Sequence, residues 1–279
     1  MLELLLFIFG LLWSIEFIQC FYLHAKSLII SKQHKPIPGS WALITACTDG
    51  IGRGFALSLA KSGYNIVQVG RNKSKLEECG QDIQSKYGVQ VKNVVSDFSL
   101  CTQNPLNFFT NIFEETRGLD IRIVVNNVGT NYAGKLSDLS CFELINQLAL
   151  NLFPIVFLTR LYLKNLKNAE NYWFINMSSV AAEFLVKDKT IYSACKAFDL
   201  AFSEVLISEN LNVLVLQPGF VDTPLSSSRK LRPLLISANE CAESTLNLLG
   251  AVHVTSGHWK HVITMMIAKL ARPLFPVIS

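Results

Sequence analysis

Charge is scarce in this chain: only 16% of its 279 residues are Asp, Glu, Lys or Arg, against about a quarter in an average soluble domain. The deficit concentrates at the two ends, which points to membrane contact there. No long Lys/Arg block occurs and the formal net charge is only +4, which argues against nucleic acid as a partner. Paired cysteines are lacking as well. The cysteines at positions 20, 47, 79, 101, 141, 195 and 241 are odd in number, far apart and form no C-x-x-C pair. That pattern speaks against a disulfide framework and a zinc site, and for reduced thiols in a cytosol-facing domain. His258 and His261 are the only closely spaced histidines, and with no acidic residue nearby they read as surface side chains, so no metal is expected. Internal repeats and low-complexity tracts are also missing. Apolar residues fill the balance, half of the chain, enough for one sizeable domain with a buried core.

The longest apolar run is at the start. From Leu4 to Leu23 the chain reads LLLFIFGLLWSIEFIQCFYL, of bilayer-spanning length. No basic residues precede it, and Gln19, Cys20, Phe21 and Tyr22 are too bulky for a signal-peptide cleavage site. Glu16 is unfavourable, since an acid at a helix centre costs roughly 2.5–3.5 kcal/mol, but each Leu, Ile or Phe returns about 0.3–0.6. With thirteen of these in the run, insertion remains favourable. Lys26, Lys32 and Lys35 follow it and Glu3 precedes it, so the positive-inside rule places the main domain in the cytosol. A helix lying in the membrane interface is the alternative.

After a Pro/Gly-broken linker, HKPIPGS at 34–40, apolar runs alternate with amphipathic stretches. Strands are expected at 41–46, 64–70, 89–97, 121–127, 172–179 and 211–219, each separated by a helix-length segment. The alternation predicts an α/β fold with a doubly wound parallel sheet and helices on both faces, preceded by the N-terminal membrane helix.

The first strand runs into Thr45-Ala46-Cys47-Thr48-Asp49-Gly50-Ile51-Gly52. Glycines at such a strand-to-helix turn let the backbone approach a pyrophosphate seated on the helix N-terminus. Asn126-Asn127-Val128-Gly129 ends a later strand, Asn151 lies in an apolar helical stretch, Ser179 closes another strand, and Tyr192-Ser-Ala-Cys-Lys196 follows. Tyr192 and Lys196 are four apart, so a helix presents them on one face.

Taken in order, these parts resemble the short-chain dehydrogenase/reductase family, whose pattern is T-G-x-x-x-G-I-G, N-N-A-G, a distant Asn, a Ser and Y-x-x-x-K. The resemblance covers residues 40–225 and implies a Rossmann-like NADP-binding domain over 41–260, between an anchor (1–25) with its linker (26–40) and an apolar tail (261–279). It implies that Tyr192 is the proton donor in carbonyl reduction, or the base in alcohol oxidation. A free phenol titrates near 10, and an ammonium such as that of Lys196 close by favours the phenolate. Lys196 would also hold the nicotinamide ribose, Ser179 would bond the substrate oxygen, and Asn151 would hold a water that relays protons to Lys196. The cofactor-binding set implied is Thr45, Asp49, Gly50, Ile51, Gly52, Arg71, Asp97, Asn127, Gly129, Pro218, Gly219 and Thr223, with Tyr192 and Lys196. Arg71 stands where NAD enzymes of this kind carry an acid, and an Arg there accommodates a 2′-phosphate, so the expected cofactor is NADPH/NADP+. Asp97 matches the adenine contact, and Pro218, Gly219 and Thr223 match the segment beside the carboxamide.

One position departs from the pattern: the first Gly of the turn is Ala46. If the site needs a positive φ there, a misfit of about 1 kcal/mol weakens nucleotide binding several-fold.

The anchor, the GSWALIT entry, the TDGIG turn, NNVG and the late SGHWKH resemble one branch most. It holds the microsomal very-long-chain 3-oxoacyl-CoA reductases and related 17β-hydroxysteroid dehydrogenases. A hydrophobic substrate is implied, 3-oxoacyl-CoA or 17-oxosteroid, with membrane lipid as a partner, a homodimer as a further option, and the endoplasmic reticulum membrane as the location. The run SSSRKLRP at 226–233 is either a solvated lid or a site for a CoA phosphate. The tail is expected to lie on the membrane, to line a lipid channel, or to pack against the core or a dimer partner. A non-catalytic scaffold retaining the fold is the competing reading, favoured by Ala46 and a short substrate region. The four intact residues Asn151, Ser179, Tyr192 and Lys196 favour the enzyme.

Overall fold

The computed structural model describes residues 37–165, 172–184, 186–224 and 234–271, with side chains to 265, together with Gly10, Ser14, Ile18 and Tyr22. Those four are helical, and the Ser14 hydroxyl donates to the Gly10 carbonyl at 2.8 Å. The rest of the Leu4–Leu23 anchor, most of the linker, SSSRKLRP and residues 272–279 lie outside the described residues.

Six strands form within the expected runs: β1 (Trp41–Thr45), β2 (Asn65–Gly70), β3 (Val91–Val95), β4 (Ile121–Asn126), β5 (Trp173–Met177) and β6 (Val213–Leu216). Several stop short of the expected end because their last polar residues turn out of the ladder into loops. β7 (Val221–Asp222) and β8 (Ile236–Ser237) form a small separate pair. A further strand, β9 (Val254–Thr255), has no counterpart among the expected runs. Two residues are too few to show a hydrophobic period. The main sheet is parallel throughout, in the order β3-β2-β1-β4-β5-β6-β9.

The helices are α1 (Gly50–Lys61), α2 (Lys73–Tyr87), α3 (Pro105–Glu115), α4 (Cys141–Lys164), α5 (Thr190–Ser208), α6 (Ala238–Leu246) and α7 (Trp259–Ala271). Their starts follow local chemistry. Asp49 and Asn72 cap α1 and α2 with side-chain oxygens, and Ser140 with Glu143 and Ser237 with Glu240 form capping boxes on α4 and α6.

Alternate strand residues separate two cores. Ala42, Ile44 and Ile66 pack with Phe55, Leu59, Leu76 and Ala242 on one face. Leu43, Val67, Val124 and Val215 pack with Phe109, Leu158 and Leu206 on the other. Helices on both faces of a parallel sheet make the fold Rossmann-like. Among the described residues only α4 is long and apolar enough to cross a membrane, yet it buries Ala149, Ile155, Leu158 and Tyr162 in the domain.

Two expectations at the C-terminal end need correction. The 260/261 boundary falls inside α7, and His261 is not a surface residue but 1% exposed. The helix from Trp259 brings one face onto the domain, and His261 lies on that face.

Candidate active site

Strand order reverses between β1 and β4, so their C-terminal ends open a crevice where α/β sheets bind ligands. The turn from β1 to α1 lines it. Ala46 has φ +52° and Gly50 φ +52°. A left-handed backbone suits glycine at position 50 but strains the Cβ of Ala46. At Gly52 space is the constraint, because a Cβ would lie 2.4 Å from the Ala46 carbonyl oxygen and 2.5 Å from Asn127 Nδ2. Asp49 is exposed, and its carboxylate accepts the Gly50 N–H at 2.7 Å. Ile51 is half-buried beside it.

Thr45 lies beneath this turn, fully buried, and ties β1 to β4. Its hydroxyl accepts the Asn127 and Val128 N–H groups at 2.9 and 3.0 Å and donates to Val125 O at 3.2 Å. Asn127 returns its side-chain amide to Thr45 O and Ala46 O at 3.0 and 3.2 Å. The polar ends of the two strands are thereby locked to each other.

Lys196 is the centre of the second half. It is 5% exposed, and its Nζ donates to Met177 O at 2.8 Å and to Asp199 Oδ2 at 2.8 Å. The ammonium lies 5.8 Å from the ring centroid of Tyr192, one helical turn back on α5. Asn151 arrives from α4. A methyl built on Gly129 would stand 2.7 Å from Asn151 Oδ1 and 3.7 Å from Lys196 Nζ, so these three groups share one pocket. Asn151 Nδ2 donates to Thr130 O at 2.9 Å and Gln147 O at 2.7 Å, while its buried Oδ1 has no protein partner. Ser179 follows β5, two residues after Met177, and its hydroxyl accepts the Ala181 N–H at 3.1 Å.

Asp199 is a residue that the sequence reading misses. It is 1% exposed, and its second carboxylate oxygen is buried without a partner. Burial pushes its carboxyl up to about 6, with the Lys196 ammonium partly offsetting that rise. Burial acts to lower Lys196, but Asp199, Tyr192 and Cys195 together outweigh it, so the ammonium is held above its ordinary range. A signal is present in the sequence: Asp199 is the acid on the buried face of an apolar helix, three residues after Lys196. A buried polar chain supports the same helix. Asn126 donates to Asn176 at 2.8 Å, Asn176 to Ser203 at 2.9 Å, and Ser203 to Asp199 O at 2.7 Å.

Two further groups of expected residues border the crevice. Arg71 and Asp97 line one open cavity of about 700 Å³ with Asn72, Lys73, Ser74 and Glu77. Asp97 is anchored there by the Ser99 N–H and hydroxyl at 3.0 and 2.8 Å. Pro218, Gly219 and Thr223 lie on the segment after β6. Pro218 O accepts the Val180 N–H, next to Ser179, at 3.2 Å. Thr223 Cγ2 is 3.2 Å from where a Gly50 Cβ would stand. The segment therefore bridges the two halves of the crevice.

A glycine turn at a helix N-terminus, a cavity beyond the second strand that carries Arg71, and a Tyr–Lys pair beside an Asn are parts suited to binding a dinucleotide and moving a proton. Comparison with known proteins agrees. The short chain dehydrogenase family matches residues 40–233. A very-long-chain 3-oxoacyl-CoA reductase of Rattus norvegicus is 33% identical over 236 residues, 82% of this chain and 74% of that protein. A 17-beta-hydroxysteroid dehydrogenase type 3 of Homo sapiens is 32% identical over 231 residues, 81% of this chain and 73% of that one. Among solved structures, a 7beta-hydroxysteroid dehydrogenase superposes with a TM-score of 0.75 at 25% identity, covering 83% of this chain and 92% of its own. An alcohol dehydrogenase of Thermococcus sibiricus, complexed with 5-hydroxy-NADP, gives 0.66 at 26% identity over 75% of this chain and 90% of its own. The chain belongs to the short-chain dehydrogenase family of oxidoreductases.

Proposed function

We propose that this chain is a membrane-anchored, NADPH-dependent reductase of a carbonyl on a hydrophobic substrate, a 3-oxoacyl-CoA or a 17-oxosteroid. The observation that carries the reading is the buried Lys196 ammonium, gathered with Tyr192, Asn151 and Gly129 at the C-terminal ends of the strands.

The residues present fit a dinucleotide. The Gly52 backbone is packed too closely against Ala46 O and Asn127 for any side chain, the tight helix-to-strand packing that a dinucleotide-binding turn requires. Arg71 would meet an adenosine 2′-phosphate in a cavity of about 700 Å³ that Lys73, paired with Glu77, and Asp97 also line. The nicotinamide end, held beside Tyr192, Lys196 and the Pro218–Thr223 segment, would supply the hydride. The protein's own residues handle the proton. Tyr192 donates it from its phenol oxygen to the carbonyl oxygen. Ser179 bonds the same oxygen and polarises it. Lys196 has three N–H donors, of which Met177 O and Asp199 take two. The third serves the Tyr192 side of the pocket and the ribose. Asn151 Oδ1, an acceptor without a protein partner, holds the relay water.

The relatives of this chain include both 3-oxoacyl-CoA reductases and a 17-beta-hydroxysteroid dehydrogenase, and the reading retains both substrates. The Leu4–Leu23 run would hold the enzyme on a membrane with the domain in the cytosol, and the resemblance to microsomal enzymes points to the endoplasmic reticulum. Exposed Phe142 and Ile145 on α4, with Phe198 and Val205 on α5, would pair in a homodimer. Ala46 at φ +52° favours a second reading, a scaffold that has lost the nucleotide.

Tyr192→Phe separates the two. The reductase reading expects turnover of NADPH with 3-oxoacyl-CoA or 17-oxosteroid to fall by about 10²–10⁴ while NADPH binding persists. Turnover equal to that of the unsubstituted chain would remove Tyr192 as proton donor.

A further inference from the structure

The segment from Gln217 to Thr223 is held at its middle by a residue from the far end of the chain. The His261 imidazole, on α7, is 1% exposed. Its Nδ1 accepts the Gly219 N–H at 3.2 Å, and its Nε2 lies 3.1 Å from Phe220 O. An accepting Nδ1 carries no proton, so the proton sits on Nε2 and is donated to the Phe220 carbonyl. The two bonds select one neutral tautomer. The contact leaves no slack: a Cβ on Gly219 would stand 3.0 Å from the imidazole Cδ2.

Such an anchor matters because of what the segment joins. On one side Pro218 O bonds to the backbone beside Ser179. On the other, Thr223 packs against Gly50 in the turn that begins α1. Gln217 N–H is fixed to Thr255 O of β9 at 2.8 Å, and Phe220 O also accepts the Ile236 N–H of β8 at 3.2 Å. The Gly219 N–H is the donor that the imidazole alone takes up, and at Phe220 the imidazole adds a second bond to the one from β8. Two consecutive residues are thereby held from one side chain. Ordering a binding loop in advance lowers the cost of binding.

We propose that His261 is a positioning residue, fixing the backbone of Gly219 and Phe220 so that the Pro218–Thr223 segment forms a preset wall for the nicotinamide end of the dinucleotide. The inference rests on the reductase reading above. It makes α7 part of the cofactor site, although α7 lies outside the glycine-turn, N-N-A-G and Y-x-x-x-K motifs.

The test uses the full-length chain in detergent, with two readouts. Amide hydrogen exchange over residues 217–223 without nucleotide reports the clamp, and an NADPH titration reports its use. In His261→Ala, exchange over this segment is expected to rise about tenfold or more while β1 and β4 stay protected, and NADPH affinity is expected to fall about tenfold. His261→Asn keeps an acceptor near Nδ1 and recovers most of both. His261→Gln places its amide near the Nε2 position, where it reaches Phe220 O but not the Gly219 N–H, and is expected to behave like His261→Ala, which covers the case in which the alanine variant does not fold. Unchanged exchange overturns the clamp. Faster exchange with unaltered NADPH affinity overturns the positioning role. If the unsubstituted chain binds no NADPH, the reductase reading falls, a result the exchange arm keeps separate from loss of the clamp.

Discussion

Ala46 holds a left-handed backbone, φ +52°, in the turn that faces the crevice. An L-residue there costs roughly 1–2 kcal/mol, part of which glycine gives back as entropy of the unfolded chain. Ala46→Gly is therefore expected to raise stability by about 0.5–1 kcal/mol in urea denaturation, with NADPH bound equally or more tightly. A less stable protein would show that the turn is built around the methyl. His261 gives a second prediction at this scale. Burial holds its imidazole below the ordinary 6.5, with the His258 ring, 6.4 Å away, acting in the same direction. A depressed folded value means that its contribution to stability is complete above 6.5 and is lost as pH falls through the lower folded value. The melting temperature should drop between about pH 7 and 5, and drop less in His261→Asn. An identical pH slope in both proteins would contradict this. Ala46 is legible in the sequence as a departure because a motif predicts a glycine there. His261 is misread from sequence, because a His beside Lys260 and Trp259 carries no local sign of the face it will occupy.

Elements deliver these residues. α5 is legible as the carrier of Tyr192 and Lys196 from their spacing of four, and the helix, which starts at Thr190, places both on one face. Asp199, on the same face, lies outside the Y-x-x-x-K motif and so carries no signal from it. Its carboxylate and the Lys196 ammonium form a buried pair at 2.8 Å, 2% and 6% exposed at their side chains. Removing one partner of such a pair strands the other charge in the core, at a cost of about 3–5 kcal/mol. Asp199→Ala is expected to lose that much in chemical denaturation, and Asp199→Asn less, since an amide oxygen still accepts from Nζ. Equal stability of Asp199→Ala and the unsubstituted chain would mean that Lys196 reaches water. Six strands are legible from their apolar runs, but β9 is not, since two residues paired at an edge leave no pattern to read.

At the scale of the molecule, the order of α and β segments suffices for a doubly wound sheet, because a parallel strand needs a crossover helix and both faces must then be covered. What one-dimensional spacing does not contain is the convergence of distant parts: Thr45 with Asn127, Asn151 with Lys196, and α7 with the segment after β6. That convergence makes one crevice with Arg71 and Asp97 at one end and the Tyr192–Lys196 pair at the other. Arg71→Asp should move nucleotide preference from NADPH toward NADH, by fluorescence titration; an unmoved preference would take Arg71 out of the 2′-phosphate site. The central claim, that this crevice is a working NADPH site, is tested most directly by titrating the detergent-solubilised full-length chain with NADPH and with NADH and following nucleotide fluorescence. Saturable binding that favours NADPH is expected. Binding of neither nucleotide would contradict it and leave the fold to the scaffold reading.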